Sequence, residues 1–282
     1  MTEQRAPDRQ VGLAAAYSAA GEAWHDVPAR VYDVLAREQI AAAHLALTGA
    51  AVLDVGAGTG AASRAAIDAG ARSVTAVDVA PGMLLVGRDR RPPAVVGDAL
   101  SLPFANSVFD VAIAAFSLNH VDDPVAALGE AARVTRPGGW VLSSSYAEDD
   151  THPVKRVVDD VAMRYGWIPA EWYQRLRADA APRLATVRRV RDAATAAGLK
   201  EIAVDARSMP FAELGPADMV GWRLGMAQLA GFLAGLGALS RRALEQEAIA
   251  ALGSNPPILE RSVLFLAGRV PYPGAGSTRA PG

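Results

Sequence analysis

The chain of 282 residues contains no cysteine, which excludes disulfide scaffolds, Cys-ligated zinc, iron–sulfur clusters and thiol nucleophiles. Histidine is scarce as well. His25, His44, His120 and His152 are the whole set, none pair at i, i+4 spacing, and no metal site is expected. Charge of one sign is also missing: 28 Lys and Arg stand against 30 Asp and Glu, a net charge of -2 without the basic footprint of a nucleic-acid binder. The expected partner is a small, uncharged molecule. Long hydrophobic runs are lacking too, since Leu224 to Leu239 gives sixteen uncharged residues, short of the roughly 20 that span a bilayer. A buried amphipathic helix is the expectation there, with no transmembrane segment. The opening "MTEQRAPDRQ" is polar with no apolar stretch behind it, so a cytoplasmic protein, monomer or homodimer, is expected.

What is present is a hydrophobic content of 51%, ample for a large core. Apolar, β-branched runs alternate with alanine-rich helical stretches, the pattern of a mostly parallel sheet with crossover helices. Strands are expected at 50–56, 73–79, 93–99, 108–116 and 139–146, then a sixth within 199–209 and a seventh at 260–270. The helix of "AASRAAIDAGA" is closed by Gly70, and that of "DDPVAALGEAARVTRPGG" runs from Asp122 or Asp123 before Pro124 to Pro137 and two glycines. Residues 1–10 and the Pro/Gly-rich tail 271–282 are expected to be disordered, leaving one domain over 11–270 with helical insertions at about 149–190 and 213–255.

The chemistry centres on "AAVLDVGAGTGAAS", where a buried strand meets a glycine turn and a helix start. Gly56, Gly58 and Ala61 satisfy a dinucleotide pattern, while Gly56, Gly58 and Gly60 satisfy the G-x-G-x-G pattern of S-adenosylmethionine (SAM) enzymes. Glycine permits positive φ and close approach of the backbone, and the N–H groups of the following helix favour an anionic carboxylate or phosphate. Both ligands fit so far. Asp54 discriminates, because a carboxylate there repels a pyrophosphate but can hold an α-ammonium group. Asp78, about twenty residues after the glycines, can accept both ribose hydroxyls. Asp98, closing the third strand, can accept from an adenine amine, with the Ala99 N–H facing the ring.

In order and spacing, "VLDVGAGTG", "VTAVDVAPGML", "GDALSLPFANSVFDVAIAAFSLNHVDDP" and "ARVTRPGGWVLSSSY" resemble the motifs of class I SAM-dependent methyltransferases, especially the ubiquinone/menaquinone-biosynthesis-like small-molecule branch. The resemblance is strong over 50–146. It implies a Rossmann-like α/β fold: a seven-stranded, mostly parallel sheet of order 3-2-1-4-5-7-6, helices on both faces, the insertions forming a helical cap. It also implies SAM as cofactor and S-adenosylhomocysteine as product. Gly56, Gly58 and Gly60 then face the methionyl part, Asp78 the ribose, Asp98 and Ala99 the adenine, and Met83 packs on the adenine ring. "AYSAAGEAWHD" resembles the family's N-terminal helix, which puts Tyr17 over the cofactor and Trp24 toward the acceptor.

In "FSLNHVDDP" the resemblance places Phe116, Asn119 and His120 near the sulfonium and the acceptor. A neutral His120 is the candidate general base, taking the proton of a hydroxyl acceptor, beside the reading that positioning alone suffices. His25 and His152 are rival bases more readily read as surface residues. Arg183, Arg188, Arg189 and Arg191 read as a solvated helix face rather than a phosphate patch. The cap segments bring Trp167, Trp172, Trp222 and Met226, which favour an apolar or aromatic acceptor, such as a secondary metabolite or quinone-like ring. O-methylation is favoured over carbon or nitrogen. The alternatives are a SAM-binding enzyme that does not methylate, such as a cyclase, and an NAD-dependent oxidoreductase.

Overall fold

The computed structural model describes residues 6–86, 88 and 91–273. Two N-terminal helices, α1 (Ala6–His25) and α2 (Val27–Ala42), precede an alternating series: β1 (Ala51–Val55), α3 (Ala61–Asp68), β2 (Ser73–Asp78), α4 (Pro81–Leu85), β3 (Ala94–Val96), β4 (Phe109–Ala115), α5 (Pro124–Val134) and β5 (Thr135–Tyr146). Next come α6 (Pro153–Arg164), α7 (Glu171–Arg175), α8 (Val187–Ala196) and β6 (Lys200–Phe211). The chain then runs through α9 (Pro216–Leu224), α10 (Ala227–Gly235) and α11 (Ala238–Leu252) to β7 (Leu259–Arg269).

All seven strands join one sheet of order β3-β2-β1-β4-β5-β7-β6. β1 to β5 run parallel, and β7 lies antiparallel between β5 and β6. This is the order that the motif resemblance implied. The central strands are apolar on both faces, as a parallel sheet covered by helices requires: β1 is buried from Val52 to Val55 and β4 from Val111 to Ala114. On one face α2 and α3 pack over Val52, Val74 and Ile113, and on the other α5 and α8 cover Leu53, Ala112 and Val141.

Local signals set the helix ends. Asp123 accepts from the Ala126 N–H at 2.9 Å with Pro124 in the first turn, and Thr186 accepts from the Arg189 N–H at 3.2 Å. Gly70 and Gly198 take positive φ, 87° and 85°, just past α3 and α8. Three boundaries differ from the sequence reading. β3 is only Ala94–Val96, not 93–99, so Asp98 and Ala99 stand in the loop beyond it. α5 stops at Val134, and Thr135 already pairs with Phe109; "RPGG" is then a bulge in β5, after which Trp140 opposes Val111. α1 begins at Ala6, so the segment expected to be disordered is helical from there, while residues 1–5 and 274–282 lie outside the described residues.

Among the described residues no helix is long and apolar enough to cross a membrane. The uncharged run from Leu224 instead supplies α10, whose Leu229 and Leu233 are buried in the cap core with Trp167, Trp222 and Val158. Buried ion pairs stitch that cap: Arg223 makes two hydrogen bonds to Asp159, at 2.9 and 2.6 Å, and a third to the Tyr173 hydroxyl at 3.0 Å.

Candidate cofactor and acceptor site

A cavity of about 450 Å³ opens at the carboxyl ends of β1, β2 and β4. It lies where the sheet order reverses between β1 and β4, the place at which open α/β sheets bind ligands. Its floor is the glycine turn. The Gly56 and Ala57 N–H groups donate to the Val77 carbonyl at 2.8 and 3.0 Å, pinning the turn to β2. Gly56 has φ 70°, and a Cβ there would sit 2.3 Å from that of Ser117. Glycine is therefore demanded at this position by the approach of the β4 loop as well as by the dihedral.

Asp54 and Asp78 flank this turn. Asp54 is buried; its Oδ2 accepts from the Ser63 hydroxyl at 2.6 Å, while Oδ1 has no partner. Burial pushes its carboxyl up to about 6, against the opposing pull of the Ser63 hydrogen bond. An orphaned acceptor on a cavity wall fits an ammonium ligand, and a pyrophosphate would meet it with like charge. Asp78 accepts from the Gly58 N–H at 2.7 Å and the Ala80 N–H at 2.8 Å. Those two bonds hold the carboxylate at the cavity edge, where a ribose diol can use its remaining lone pairs. Asp98, turned by a bond from the Leu100 N–H at 2.9 Å, lines the cavity with Ala99, and buried Met83 lies opposite. The residues present thus fit an ammonium, a diol and an adenine on one cavity.

The roof comes from the N-terminal helices. α1 crosses α4 with almost no clearance: a Cβ on Gly82 would lie 2.3 Å from the Ser18 carbonyl oxygen, and one on Gly21 2.9 Å from that of Gly82. This crossing swings Tyr17 over the cavity, where its hydroxyl is 2.8 Å from Nε2 of His120. Burial holds the His120 imidazole down at about 4 and pushes the Tyr17 phenol well up, so both are neutral near pH 7. Trp24, Tyr32, Phe116 and Trp172 complete an aromatic wall; Trp24 lies 4.8 Å from Tyr32 and Tyr32 5.6 Å from Phe116, centroid to centroid.

Some expected residues are elsewhere. Gly60, with φ 91°, caps α3 behind the cavity. Trp167, Trp222 and Met226 are buried in the core of the cap and do not line the cavity, and Asn119 is buried with its Oδ1 unpaired but off the cavity wall. The physical reason is that residues 213–255 spend their apolar faces on α6, on α1 and α2, and on one another. Only residues 172–180 of the cap reach the cavity. His152 caps α6, with Nδ1 accepting from the Val154 N–H and Nε2 bonding the Pro257 carbonyl, and His25 is exposed. Arg183, Arg189 and Arg191 bond backbone carbonyls from an exposed face. The sequence reading missed Gly21, Gly82, Tyr32 and Ser117. Small residues in separate helices, such as Gly21 in α1 and Gly82 in α4, carry no local signal that they will touch.

Similarity to known proteins agrees with this geometry. Residues 53–143 match the family described as a methyltransferase domain. Demethylmenaquinone methyltransferase of Renibacterium salmoninarum is 42% identical over 121 residues, covering 42% of this chain and 51% of that protein. That of Streptomyces griseus is 37% identical over 130 residues, 45% of this chain and 56% of the relative. The chain thus spans about half the length of these curated relatives. A SAM-dependent methyltransferase of Thermotoga maritima shares the fold with a TM-score of 0.53 at 17% identity, over 88% of this chain and 93% of that one. Phosphoethanolamine N-methyltransferase 2 of Haemonchus contortus, solved with phosphomonomethylethanolamine and S-adenosylhomocysteine, gives 0.53 at 20% identity, over 83% of this chain and 53% of its own.

Fold order, glycine turn and paired carboxylates are those of class I SAM-dependent methyltransferases, the class that the chain resembles. Within that class, the chain carries the methyltransferase domain over residues 53–143 and shares its identical stretches with demethylmenaquinone methyltransferases. The nicotinamide alternative is set aside by this match.

Proposed function

We propose that the protein transfers the methyl group of SAM to a hydroxyl of a small, mainly apolar ring compound in the cytoplasm. The observation that carries this reading is the half-buried Tyr17–His120 hydrogen bond, set in an aromatic wall on the same cavity as the Asp54 and Asp78 carboxylates. SAM supplies an already activated methyl on a sulfonium. The protein's task is to hold acceptor and donor in line, exclude water and receive one proton.

Trp24, Tyr32, Phe116 and Trp172 offer aromatic faces to a flat acceptor. As the acceptor oxygen gains the methyl, its proton passes to the Tyr17 oxygen while Tyr17 gives its own to Nε2 of His120. A neutral imidazole is required for that step, and burial keeps it neutral. The demethylmenaquinone methyltransferase relatives support a quinone-like ring as the acceptor class.

Incubation with labelled SAM and a panel of hydroxylated aromatics, polyketides and reduced naphthoquinones tests the reading. A product heavier by one methylene, with the label on oxygen, is expected. Absence of SAM binding in calorimetry refutes the proposal, and label on carbon refutes its oxygen preference.

A further inference from the structure

Behind Tyr32 and Phe116, on the side away from the cofactor carboxylates, lies a second set of polar groups that the proposed transfer does not use. Arg261, near the start of β7 and 2% exposed, donates from Nε and Nη2 to the two oxygens of Asp150, at 2.9 and 2.8 Å. A guanidinium is a rigid planar fork, so Nη1 is directed away from that carboxylate. Nη1 has no partner. The guanidinium carbon lies 3.9 Å from the Tyr146 ring centroid and 4.7 Å from that of Trp222. The Trp222 Nε1 is also buried without a partner, and the buried Tyr146 hydroxyl has only the Tyr32 phenol beside it. Two donors on adjoining side chains, with a third that has no partner but a neighbouring phenol, are therefore under-satisfied together, in an interior where almost every such group finds an acceptor.

Charge points the same way. Asp150 is shared: Lys155 Nζ also donates to its Oδ2 at 2.6 Å, and the Ser262 N–H to its Oδ1 at 3.0 Å. One carboxylate thus serves two cations, the buried Arg261 and Lys155, whose side chain is 27% exposed. The next acid, Asp159, is fully engaged by Arg223. A buried cation without its counter-ion is costly unless an anion completes it.

Two aromatic side chains connect this cluster to the cavity. Phe116, on the cavity wall, stacks on Tyr146 with centroids 4.6 Å apart. Tyr32, also on the wall, is close enough to Arg261 and Tyr146 that both pull its phenol back down against the upward push of burial. We propose that Arg261 Nη1, Tyr146 Oη and Trp222 Nε1, which lie behind the cavity wall rather than on it, form an anion-binding subsite that a turn of the Tyr32 side chain joins to the acceptor pocket, and that it takes an ionised enolic or phenolic oxygen of the acceptor ring. The inference rests on the acceptor reading of the cavity. It narrows the substrate class to rings with two oxygens, one ionised and anchored here, the other presented to Tyr17 and His120.

The test uses the full chain saturated with S-adenosylhomocysteine and two probes measured by calorimetry. One is lawsone, a naphthoquinone whose hydroxyl is ionised at neutral pH, and the other is unsubstituted naphthoquinone; the chain has no cysteine for either to alkylate. Lawsone is expected to bind at least about tenfold more tightly than the neutral ring, as a charge-assisted hydrogen bond implies. Tyr146→Phe and Trp222→Phe keep the ring packing that Arg261 needs and each are expected to weaken lawsone alone, by about five- to tenfold. Arg261→Met is expected to abolish the preference. Equal affinities for the two probes, or lawsone affinity unchanged in both the Tyr146→Phe and Trp222→Phe variants, overturn the proposal. If the preference and its loss are seen while no panel compound is methylated, the subsite stands and the transfer reading falls.

Discussion

Asp54 should tie cofactor affinity and protein stability to pH in opposite directions. Burial raises its carboxyl from 3.8 to about 6 in the folded, unliganded protein. Between those values the folded chain holds a proton that the unfolded chain has lost, so stability falls as pH rises through about 4 to 6 and is level above. A shift of about two units corresponds to about 3 kcal/mol at 1.36 kcal/mol per unit. Asn at position 54 removes this loss. His120 acts oppositely in nearly the same window: held down to about 4, it contributes stability that grows as pH rises toward its ordinary 6.5. Only the difference between wild type and Asp54→Asn therefore isolates the carboxylate. That difference in unfolding midpoint is expected to move in favour of the variant by about 5 to 10 °C between acid and neutral pH, at about 2 to 4 °C per kcal/mol for a chain of this size. SAM binding should do the reverse. An α-ammonium paired with Oδ1 selects the ionised form, so affinity strengthens about tenfold per pH unit up to about 6 and then levels off. Asp54→Asn is expected to lose that slope and about ten- to hundredfold of affinity. Titration calorimetry at a series of pH values decides; a wild-type affinity that is flat from about pH 5 to neutral, or the same slope in the variant, refutes the reasoning.

The other expectations are direct. Gly56→Ala places a methyl 2.3 Å from the Ser117 Cβ at a positive φ and should cost about 3 kcal/mol or more in denaturant unfolding, with partial recovery in the Gly56→Ala, Ser117→Gly double variant. Tyr17→Phe and His120→Asn should each lower kcat by about ten- to a hundredfold with SAM affinity little changed, and the wild-type rate should stay level down to about pH 5 because His120 protonates only near 4. Asp159→Ala leaves the Arg223 guanidinium buried with one partner, Tyr173; a loss of about 3 to 5 kcal/mol in global unfolding is expected.

The cofactor half of the site was legible in the sequence because it is built from local devices. A buried strand, a turn that needs positive φ and a helix start are contiguous in residues 50–63, Asp78 ends the next strand, and Asp98 follows the one after within two residues of its end at Val96. Strand order followed from the same motifs in series. The boundary at Val134 was not legible, since Pro137 and its glycines mark a helix end and a strand bulge equally well, and only the pairing of Thr135 with Phe109 distinguishes them.

The acceptor half was not legible for a different reason. Trp167, Trp172, Trp222 and Met226 are equivalent in a sequence, each an apolar residue in a helical insertion; packing alone put Trp172 on the cavity and the others inside the cap. The closeness of α1 to α4, which brings Tyr17 to His120 across 103 residues, depends on Gly21 and Gly82 meeting in space. Likewise, that Arg261 keeps an unpaired nitrogen beside Tyr146 and Trp222 follows from an antiparallel β7 laid next to β5. The sequence by itself determined what is donated, because the donor contacts chemistry that is short-range along the chain. Tertiary structure decided which side chains line the rest of the cavity, because they meet only through contacts between distant segments.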